Sequence, residues 1–250
     1  KVTNILDGIR ECGGFKLNGQ LAEIYSQWEL THPYDTGIGW GSEPWSQEEM
    51  PLDDDTVRNA AENSDAAIII IGRTAGEDRD NTPEKGAYFL TDTEEDMFRK
   101  VTAHFDKVAV ILNTGSIMDM SFMDKYPVTA VLYVWQGGMT GGSGIADILS
   151  GKVSPSGKLS DTIAFNISDY PSDRNFGDDE RNFYCEDIYV GYRYFETFAR
   201  DRVRFPFGFG LSYTSFEIKA VNADISAESI KLAVSVKNTG SFSGKEAVQI

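Results

Sequence analysis

An ionisable segment directly follows the most apolar stretch of the sequence. Ile68 to Ile71 are consecutive isoleucines, and Gly72 ends the run. The ionisable residues that come next are Arg73, Glu77, Asp78, Arg79 and Asp80. Ligands of open α/β sheets bind beyond the carboxyl ends of strands, and titratable groups cluster at functional sites. Glu77 is therefore the leading candidate for a catalytic residue, and a solvated carboxylate paired with Arg79 is the alternative interpretation.

A second candidate region is the connection from Thr31 to Met50. It is rich in Gly, Pro, Tyr and Trp and shows neither helical nor strand periodicity. Long ordered loops are often functional. Trp40 and Trp45 have flat apolar faces that suit stacking on a sugar ring. Aromatic side chains also pin a loop to its domain, so both roles stay open for these two residues.

The elements that must position these candidates alternate between strands and helices. Three apolar runs, residues 68–71, 108–112 and 128–134, predict strands, the first of them central and covered on both faces. Helices are predicted over residues 4–10, 21–28, 53–63, 91–105, 118–125 and 145–149. Thr91 and Glu94 have the spacing of a capping box at the start of the fourth of these helices. The alternation indicates βαβ units, so the predicted fold class is α/β, a layered sandwich with a mostly parallel sheet.

A glycine-rich segment from Gly137 to Gly144 separates the third predicted strand from the last predicted helix. Such a turn can bind a phosphate group, but the sequence has no Gly-Lys-Ser/Thr and no complete Gly-x-Gly-x-x-Gly pattern. Glycines also permit a tight turn and close packing of a helix on a sheet. The packing interpretation is favoured.

The sequence changes character after residues 205–212. Residues 230–237 alternate apolar and polar side chains, which predicts a half-buried antiparallel strand. About three strands fit before Ile250, whereas an immunoglobulin-like sandwich has about seven. We expect an α/β domain over residues 1–212 and the incomplete beginning of a β-sandwich domain over residues 213–250, both within a longer polypeptide.

Charge and composition narrow the class of ligand. The chain has 23 Lys and Arg against 39 Asp and Glu, a net charge of −16, which repels polyphosphates and anionic lipid. Neither a nucleic acid nor a membrane surface is expected as a partner, and a neutral ligand fits best. With two histidines and two distant cysteines, no metal or other cofactor is expected. No apolar run reaches the ~20 residues of a membrane span, and no signal peptide is visible, so a cytoplasmic location is expected.

The chain resembles family 3 glycoside hydrolases in six segments that follow the family's order. These are residues 76–79 (Gly-Glu-Asp-Arg), 110–115 (Val-Ile-Leu-Asn-Thr-Gly), 135–147 (Trp-Gln-Gly-Gly to Ala-Asp), 154–159 (Ser-Pro-Ser-Gly-Lys-Leu), 187–195 (Asp-Ile-Tyr-Val-Gly-Tyr-Arg-Tyr-Phe) and 205–214 (Phe-Pro-Phe-Gly-Phe-Gly-Leu-Ser-Tyr-Thr). The resemblance implies the family's α/β-sandwich domain, followed by the start of its fibronectin-type-III-like domain. Residues 33–50 resemble the bacterial subgroup in which the (β/α)8 barrel follows the sandwich domains.

The resemblance implies a retaining β-glycosidase whose active site is shared between domains. Its acid/base is Glu77, and its Asp nucleophile lies on a (β/α)8 barrel outside this chain, at the separation of about 5 to 5.5 Å that retention requires. The chain alone is predicted to be inactive. Asp78 and Arg79 are expected to orient the loop by an ion pair. In the family a further residue usually precedes the Asp-Arg pair, whereas Glu77 abuts Asp78, which leaves the reach of the loop open.

A general acid must hold its proton near working pH. Asp78 and Asp80 favour a protonated Glu77, whereas Arg73 and Arg79 oppose it, so the sequence leaves the balance open.

The expected function is hydrolysis of terminal non-reducing β-D-glucosyl residues in β-glucosides or oligosaccharides, and a homo-oligomer is compatible with it. The alternatives are a β-xylosidase or other exo-β-glycosidase of the same family, a non-catalytic sugar-binding or scaffold module, and a nucleotide-binding domain that uses residues 137–144.

Overall fold

The computed structural model describes residues 2–74, 80–177 and 180–249. Its helices are α1 (Ile5–Glu11), α2 (Gly19–Glu29), α3 (Asp54–Glu62), α4 (Asp92–His104), α5 (Phe122–Lys125), α6 (Gly141–Leu149) and α7 (Tyr192–Phe198). Its strands are β1 (Ala67–Gly72), β2 (Val108–Asn113), β3 (Ala130–Tyr133), β4 (Ile163–Ala164), β5 (Val203–Phe205), β6 (Phe216–Ile225) and β7 (Ile230–Asn238). None of the described helices has the length and apolar character needed to cross a membrane.

The centre of the fold is a parallel sheet in the order β1-β2-β3. Ile70 lies beside Ile111, and Leu112 lies beside Tyr133. On one face the sheet packs against α3, α4 and α5, and on the other against α1 and α6. These layers confirm the predicted α/β sandwich with a parallel sheet.

The prediction that Ile68 to Ile71 form a central, fully covered strand is wrong. Among the described residues β2 is central and β1 lies at the edge of the sheet. Ile69 and Ile71 are buried beneath the α4 layer, but Ile70 keeps 37% of its surface exposed on the opposite face. The physical reason is that α1 and α6 cover Ile111 of β2, and their cover ends short of Ile70.

The glycine-rich segment serves helix packing, as the favoured interpretation predicted. A Cβ on Gly142 would lie 1.9 Å from the carbonyl oxygen of Asn4, and a Cβ on Gly8 would lie 2.1 Å from the carbonyl oxygen of Gly142. The backbones of α1 and α6 are therefore in direct contact. Two details differ from the prediction, because α6 begins at Gly141 rather than Ile145 and the close partner is another helix.

Helix starts follow their local sequence. Thr91 accepts from the backbone N–H of Glu94, and Glu94 accepts from the backbone N–H of Thr91, so the predicted capping box of α4 is confirmed. Asn4, Asn18 and Asp53 cap α1, α2 and α3 through their side-chain oxygens. Each cap satisfies an N–H that the first turn leaves without a partner.

The C-terminal strands form the antiparallel hairpin β6–β7, with Ile218 beside Val236 and Ile225 beside Ile230. Antiparallel pairing of residues 230–238 confirms the strand prediction, but half-burial does not hold. Leu232 is 42% exposed, and every described residue of β7 except Val234 is exposed. The described part of residues 213–249 contains two strands rather than about three. The hairpin lacks a covering layer within the described residues, so the apolar face of the alternating pattern meets solvent.

The aromatic stretch from Tyr184 to Phe198 is only partly buried. Phe195 of α7 is buried and contacts Tyr170 and Tyr194. Tyr184 is 91% exposed and Phe198 is also exposed. Phe195 thus anchors the stretch, while most of its other aromatic side chains are exposed within the described residues.

Candidate functional site

A cleft of about 520 Å³ lies beyond the carboxyl ends of β1 and β2. Parallel strands direct their carboxyl ends to one edge of the sheet, which is where open α/β sheets bind ligands. The residues that line the cleft are Tyr34, Trp40, Gly41, Glu43, Trp45, Gln47, Glu48, Glu49, Gly72, Arg73, Thr74, Glu94, Asn113 and Gln136. Eight of these 14 residues lie within residues 34–49, the connection that the sequence singled out.

Trp40 and Trp45 both line this cleft. The side chain of Trp40 is exposed, and Trp45 is half-buried. The backbone around Trp45 is attached to the end of β1, because the carbonyl oxygens of Pro44 and Trp45 accept from Thr74 Oγ1 at 2.5 Å and from Thr74 N at 2.8 Å. The connection is thus pinned to the sheet through its backbone, which leaves the indole rings as part of the cleft wall.

The sequence-predicted residues Glu77, Asp78 and Arg79 lie outside the described residues. The chain is described up to Thr74, which lines the cleft, and again from Asp80. Asn81 Nδ2 donates to the carbonyl oxygen of Ile117 at 2.8 Å. The two described ends that flank residues 75–79 are therefore both anchored by hydrogen bonds.

Arg73, expected to offset negative charge near Glu77, is committed to another partner. Its guanidinium makes a two-pronged contact with Glu94, Nη1 to Oε1 at 2.7 Å and Nη2 to Oε2 at 2.8 Å. The Arg73 side chain is 1% exposed and that of Glu94 is 6% exposed. A buried, hydrogen-bonded carboxylate balances this cation. The sequence identified Glu94 only through its capping-box spacing and gave no sign of its pairing with Arg73.

Glu49 is a half-buried carboxyl group of the cleft that the sequence did not single out. Its Oε1 accepts from the Tyr25 hydroxyl at 3.1 Å and from the backbone N–H of Met50 at 3.1 Å. Burial raises the pKa of the Glu49 carboxyl, and the Tyr25 hydrogen bond opposes that shift. Burial, together with the charge of Glu49, also raises the pKa of Tyr25 above its ordinary value. The cleft thus contains a carboxyl group whose pKa lies above its ordinary value because of partial desolvation.

Asn113 and Gln136 are further polar lining residues that the sequence did not single out. Asn113 is the last residue of β2, and Gln136 Nε2 donates to the carbonyl oxygen of Arg73 at 3.3 Å. The rule that pointed to the end of β1 applies equally to the ends of β2 and β3 and identifies both positions. Across the described ranges, no group of three or more His, Cys, Asp or Glu side chains is arranged to hold a metal ion.

Comparison with known sequences identifies relatives of this chain. Residues 1–213 match the Glycosyl hydrolase family 3 C-terminal domain. A beta-glucosidase of Ruminococcus albus is 57% identical over 250 residues, which are 100% of this chain and 26% of that protein. Beta-glucosidase A of Butyrivibrio fibrisolvens is 38% identical over 292 residues, 100% of this chain and 34% of the relative.

Solved structures give the same result. A beta-glucosidase from Paenibacillus barengoltzii is 52% identical with a TM-score of 0.93, over 97% of this chain and 27% of that one. Beta-glucosidase 3B from Thermotoga neapolitana, in complex with glucose, is 34% identical with a TM-score of 0.83, over 96% of this chain and 34% of that one. The chain thus spans about a quarter to a third of the length of these proteins.

Proposed function

Because the chain belongs to the family of the glycosyl hydrolase family 3 C-terminal domain, we propose that it forms one wall of the active site of a retaining β-glucosidase. The observation that carries the proposal is the cleft at the strand ends, from whose rim residues 75–79 continue after Thr74. The substrate class is terminal non-reducing β-D-glucosyl residues of β-glucosides or oligosaccharides.

Glu77 is the general acid/base of this proposal. In the first step its carboxyl group gives a proton to the glycosidic oxygen while an Asp nucleophile from a (β/α)8 barrel outside this chain attacks the anomeric carbon. In the second step the Glu77 carboxylate takes a proton from water, which attacks the glycosyl-enzyme and releases glucose with retained configuration. The nucleophile belongs to the barrel, so this chain alone is inactive.

The charges of the cleft support an acid role. Arg73, the nearest described cation to residues 75–79 in sequence, is neutralised by Glu94 within the domain. Glu43, Glu48 and Glu49 line the same cleft. Negative charge and partial desolvation both favour the protonated form of a further carboxyl group that enters such a cleft.

Trp40 and Trp45 are proposed to contact the sugar or aglycone on the leaving-group side. Their position in the cleft wall suits an apolar face that packs against the carbon face of a sugar ring. Asp78 and Arg79 are proposed to orient the loop by an ion pair. Oligosaccharides are neutral, so the net charge of −16 does not repel them.

The proposed domain organisation separates residues 1–212, the α/β domain, from residues 213–250, the beginning of a fibronectin-type-III-like domain. The exposed apolar face of β6–β7 supports a covering sheet in the complete domain, since sandwich sheets bury one face each. A β-xylosidase or other exo-β-glycosidase is the closest alternative within the family, because sugar selection lies mainly on the barrel. A non-catalytic sugar-binding module is the alternative of a different class.

Replacement of Glu77 by Ala in the full-length protein tests the catalytic role. We expect kcat/KM for cellobiose, which has a poor leaving group, to fall by roughly 10²- to 10⁴-fold, the usual contribution of general acid–base catalysis. The dinitrophenolate leaving group of 2,4-dinitrophenyl β-glucoside departs without a proton. Azide, which attacks in place of water, should therefore partly restore turnover of this substrate. Comparison of glucosides with xylosides separates the two sugar specificities.

The matched control is Glu84→Ala, which removes an exposed carboxylate from the same connection. It should leave both substrates unaffected. Wild-type kinetics of the Glu77→Ala protein on cellobiose would remove Glu77 from the mechanism, and failure of the wild-type protein to hydrolyse any glycoside would favour the binding module.

A further inference from the structure

The end of β1 is held by an unusually complete set of hydrogen bonds to the Arg73 side chain. Besides its two contacts with Glu94, Nε donates to the carbonyl oxygen of Ala87 at 3.0 Å, Nη1 to that of Gly72 at 2.8 Å and Nη2 to that of Phe89 at 3.2 Å. A guanidinium group has five N–H bonds in a rigid planar fork. Every one of them has an acceptor here, which leaves the side chain a single orientation.

The backbone of Arg73 is held equally well. Its N–H donates to the carbonyl oxygen of Asn113 at the end of β2, and its carbonyl oxygen accepts from Gln136 after β3. Thr74 then bonds to Pro44 and Trp45. The ends of all three parallel strands and the wall of the cleft therefore meet at Arg73 and Thr74, the last described positions before residues 75–79.

Glu94 extends this anchorage to a helix. Its Oε2 accepts from Arg73 and, at 2.8 Å, from the backbone N–H of Thr91. Glu94 lies in the first turn of α4, whose inner face packs on the sheet through Met97, Phe98 and Val101. The position of Arg73 is thus fixed by a helix that is itself immobilised by the core.

Stability alone does not account for a buried pair at this place. Desolvation of two charges offsets most of their attraction, so buried ion pairs contribute little net stability and are often replaceable by apolar groups. The pair suits a role in fixing the position of the backbone, because the planar guanidinium fork allows only one orientation of its donors. Displacement of a catalytic group by 1 Å reduces rates on the order of 10²-fold.

We propose that Arg73 and Glu94 are positioning residues that fix where the chain leaves β1, and through this the placement of the acid/base four residues after Arg73. The inference depends on the proposed function of Glu77. Neither residue is proposed to touch the substrate. Their effect is specific to proton transfer, because a displaced acid/base slows the departure of poor leaving groups and leaves nucleophilic attack on activated glycosides intact.

The test is Arg73→Lys in the full-length protein. Lysine keeps the charge opposite Glu94 but offers its donors from one point, so the fork to Ala87, Phe89 and both carboxylate oxygens is lost. A mechanism-based 2-deoxy-2-fluoroglucoside inhibitor, which traps the glycosyl-enzyme, counts competent sites. All rates are expressed per competent site, so partial unfolding does not imitate a loss of catalysis.

We expect kcat/KM for cellobiose to fall by about 10-fold or more, with kcat/KM for the dinitrophenyl glucoside within about twofold of wild type. Glu94→Gln should show the same split, since it weakens the same contact from the other side. Arg204→Lys is the matched control, because Arg204 makes a two-pronged contact with Asp124 outside the cleft. It should change neither rate per competent site.

Unchanged rates on both substrates, or equal losses on both, would overturn the positioning role and leave the pair purely structural. The Glu77→Ala experiment keeps the two proposals apart. If Glu77→Ala is impaired on cellobiose while Arg73→Lys is normal, only the positioning inference fails. If Glu77→Ala itself is normal, the proposed catalytic function fails.

Discussion

The strands β2 and β7 both carry a row of apolar side chains but lie in opposite environments. Both are rich in Val, Leu and Ile, and both pair along their length with a neighbouring strand. Leu112 of β2 is 0% exposed, whereas Leu232 of β7 is 42% exposed. Helices cover β2 on both faces, but no described element covers the apolar face of the β6–β7 hairpin.

The difference shows that strand formation and strand burial have separate causes. β-branched and apolar side chains favour an extended backbone that pairs with a neighbour. Burial additionally requires a second layer at about 10 Å, and that layer comes from elsewhere in the chain or from another domain. The stability of the chain must therefore reside mainly in the sheet of β1, β2 and β3 and its helices.

The largest expected difference between the two strands is the cost of truncating a leucine. Leu112→Ala should lower the free energy of unfolding by about 2 to 5 kcal/mol, because it leaves a cavity in a closely packed core. Leu232→Ala in the same 250-residue chain should change it by no more than about 0.5 kcal/mol, as is usual for surface sites. Chemical denaturation measured by circular dichroism checks both values.

The same two leucine substitutions can be compared in the full-length protein. If a second sheet covers β6–β7 there, the cost of Leu232→Ala should rise toward that of Leu112→Ala. Equal costs for the two substitutions already in the 250-residue chain would contradict the contrast between a covered and an uncovered strand.

An intermediate effect is expected at the contact of α1 with α6, which covers β2 and has no counterpart on the hairpin. Gly142→Ala places a Cβ 1.9 Å from the carbonyl oxygen of Asn4. The helices must separate, which should cost about 1 to 3 kcal/mol of unfolding free energy.

Gly144→Ala is the matched control for this contact. Gly144 lies in the same helix, and a Cβ there meets no atom within 4 Å. It should instead stabilise the chain by roughly 0.5 to 1 kcal/mol, because alanine favours the helical backbone. Thermal denaturation of both variants tests the difference, and equal effects would show that the helix contact is not tight.

The smallest expected effect concerns surface ion pairs in the two regions. The hydrogen bonds from Arg204 lower the pKa of the Asp124 carboxyl. Such a group stabilises the folded state above its unfolded pKa of about 3.9, and the contribution disappears as pH falls through the lower folded pKa. Asp124→Asn should therefore reduce the melting temperature slightly at pH 7, and the difference from wild type should vanish in acid.

The hairpin offers the matched comparison for this pair. Glu217 and Lys219 form a pair between exposed side chains of β6, and pairs of this kind contribute little. Glu217→Gln should leave the melting temperature unchanged throughout the same pH series. A larger acid-dependent effect for Glu217→Gln than for Asp124→Asn would reverse the ranking of the two regions.

Much of the fold was predictable because its signals are local. The apolar run at residues 108–112, the capping box of Thr91 and Glu94, and the glycines at 137–144 each act over a few residues, and each produced the predicted strand, helix start or close contact. Of the cleft, the sequence indicated the strand end at Gly72 and the connection that contains Trp40 and Trp45. It predicted Glu77 as the acid/base, and that remains a prediction.

By itself the sequence determined the class of the fold, the order of its elements and the family to which the chain belongs, since these depend on periodicity and on short motifs. The tertiary structure decided that Ile70 lies at an exposed edge, that Glu49 is half-buried in the cleft, and that Arg73 pairs with Glu94, 21 positions away. These outcomes depend on which remote segments come within a few ångströms of one another. Coverage by remote layers and charge pairing across a sheet edge leave no periodic pattern along the chain.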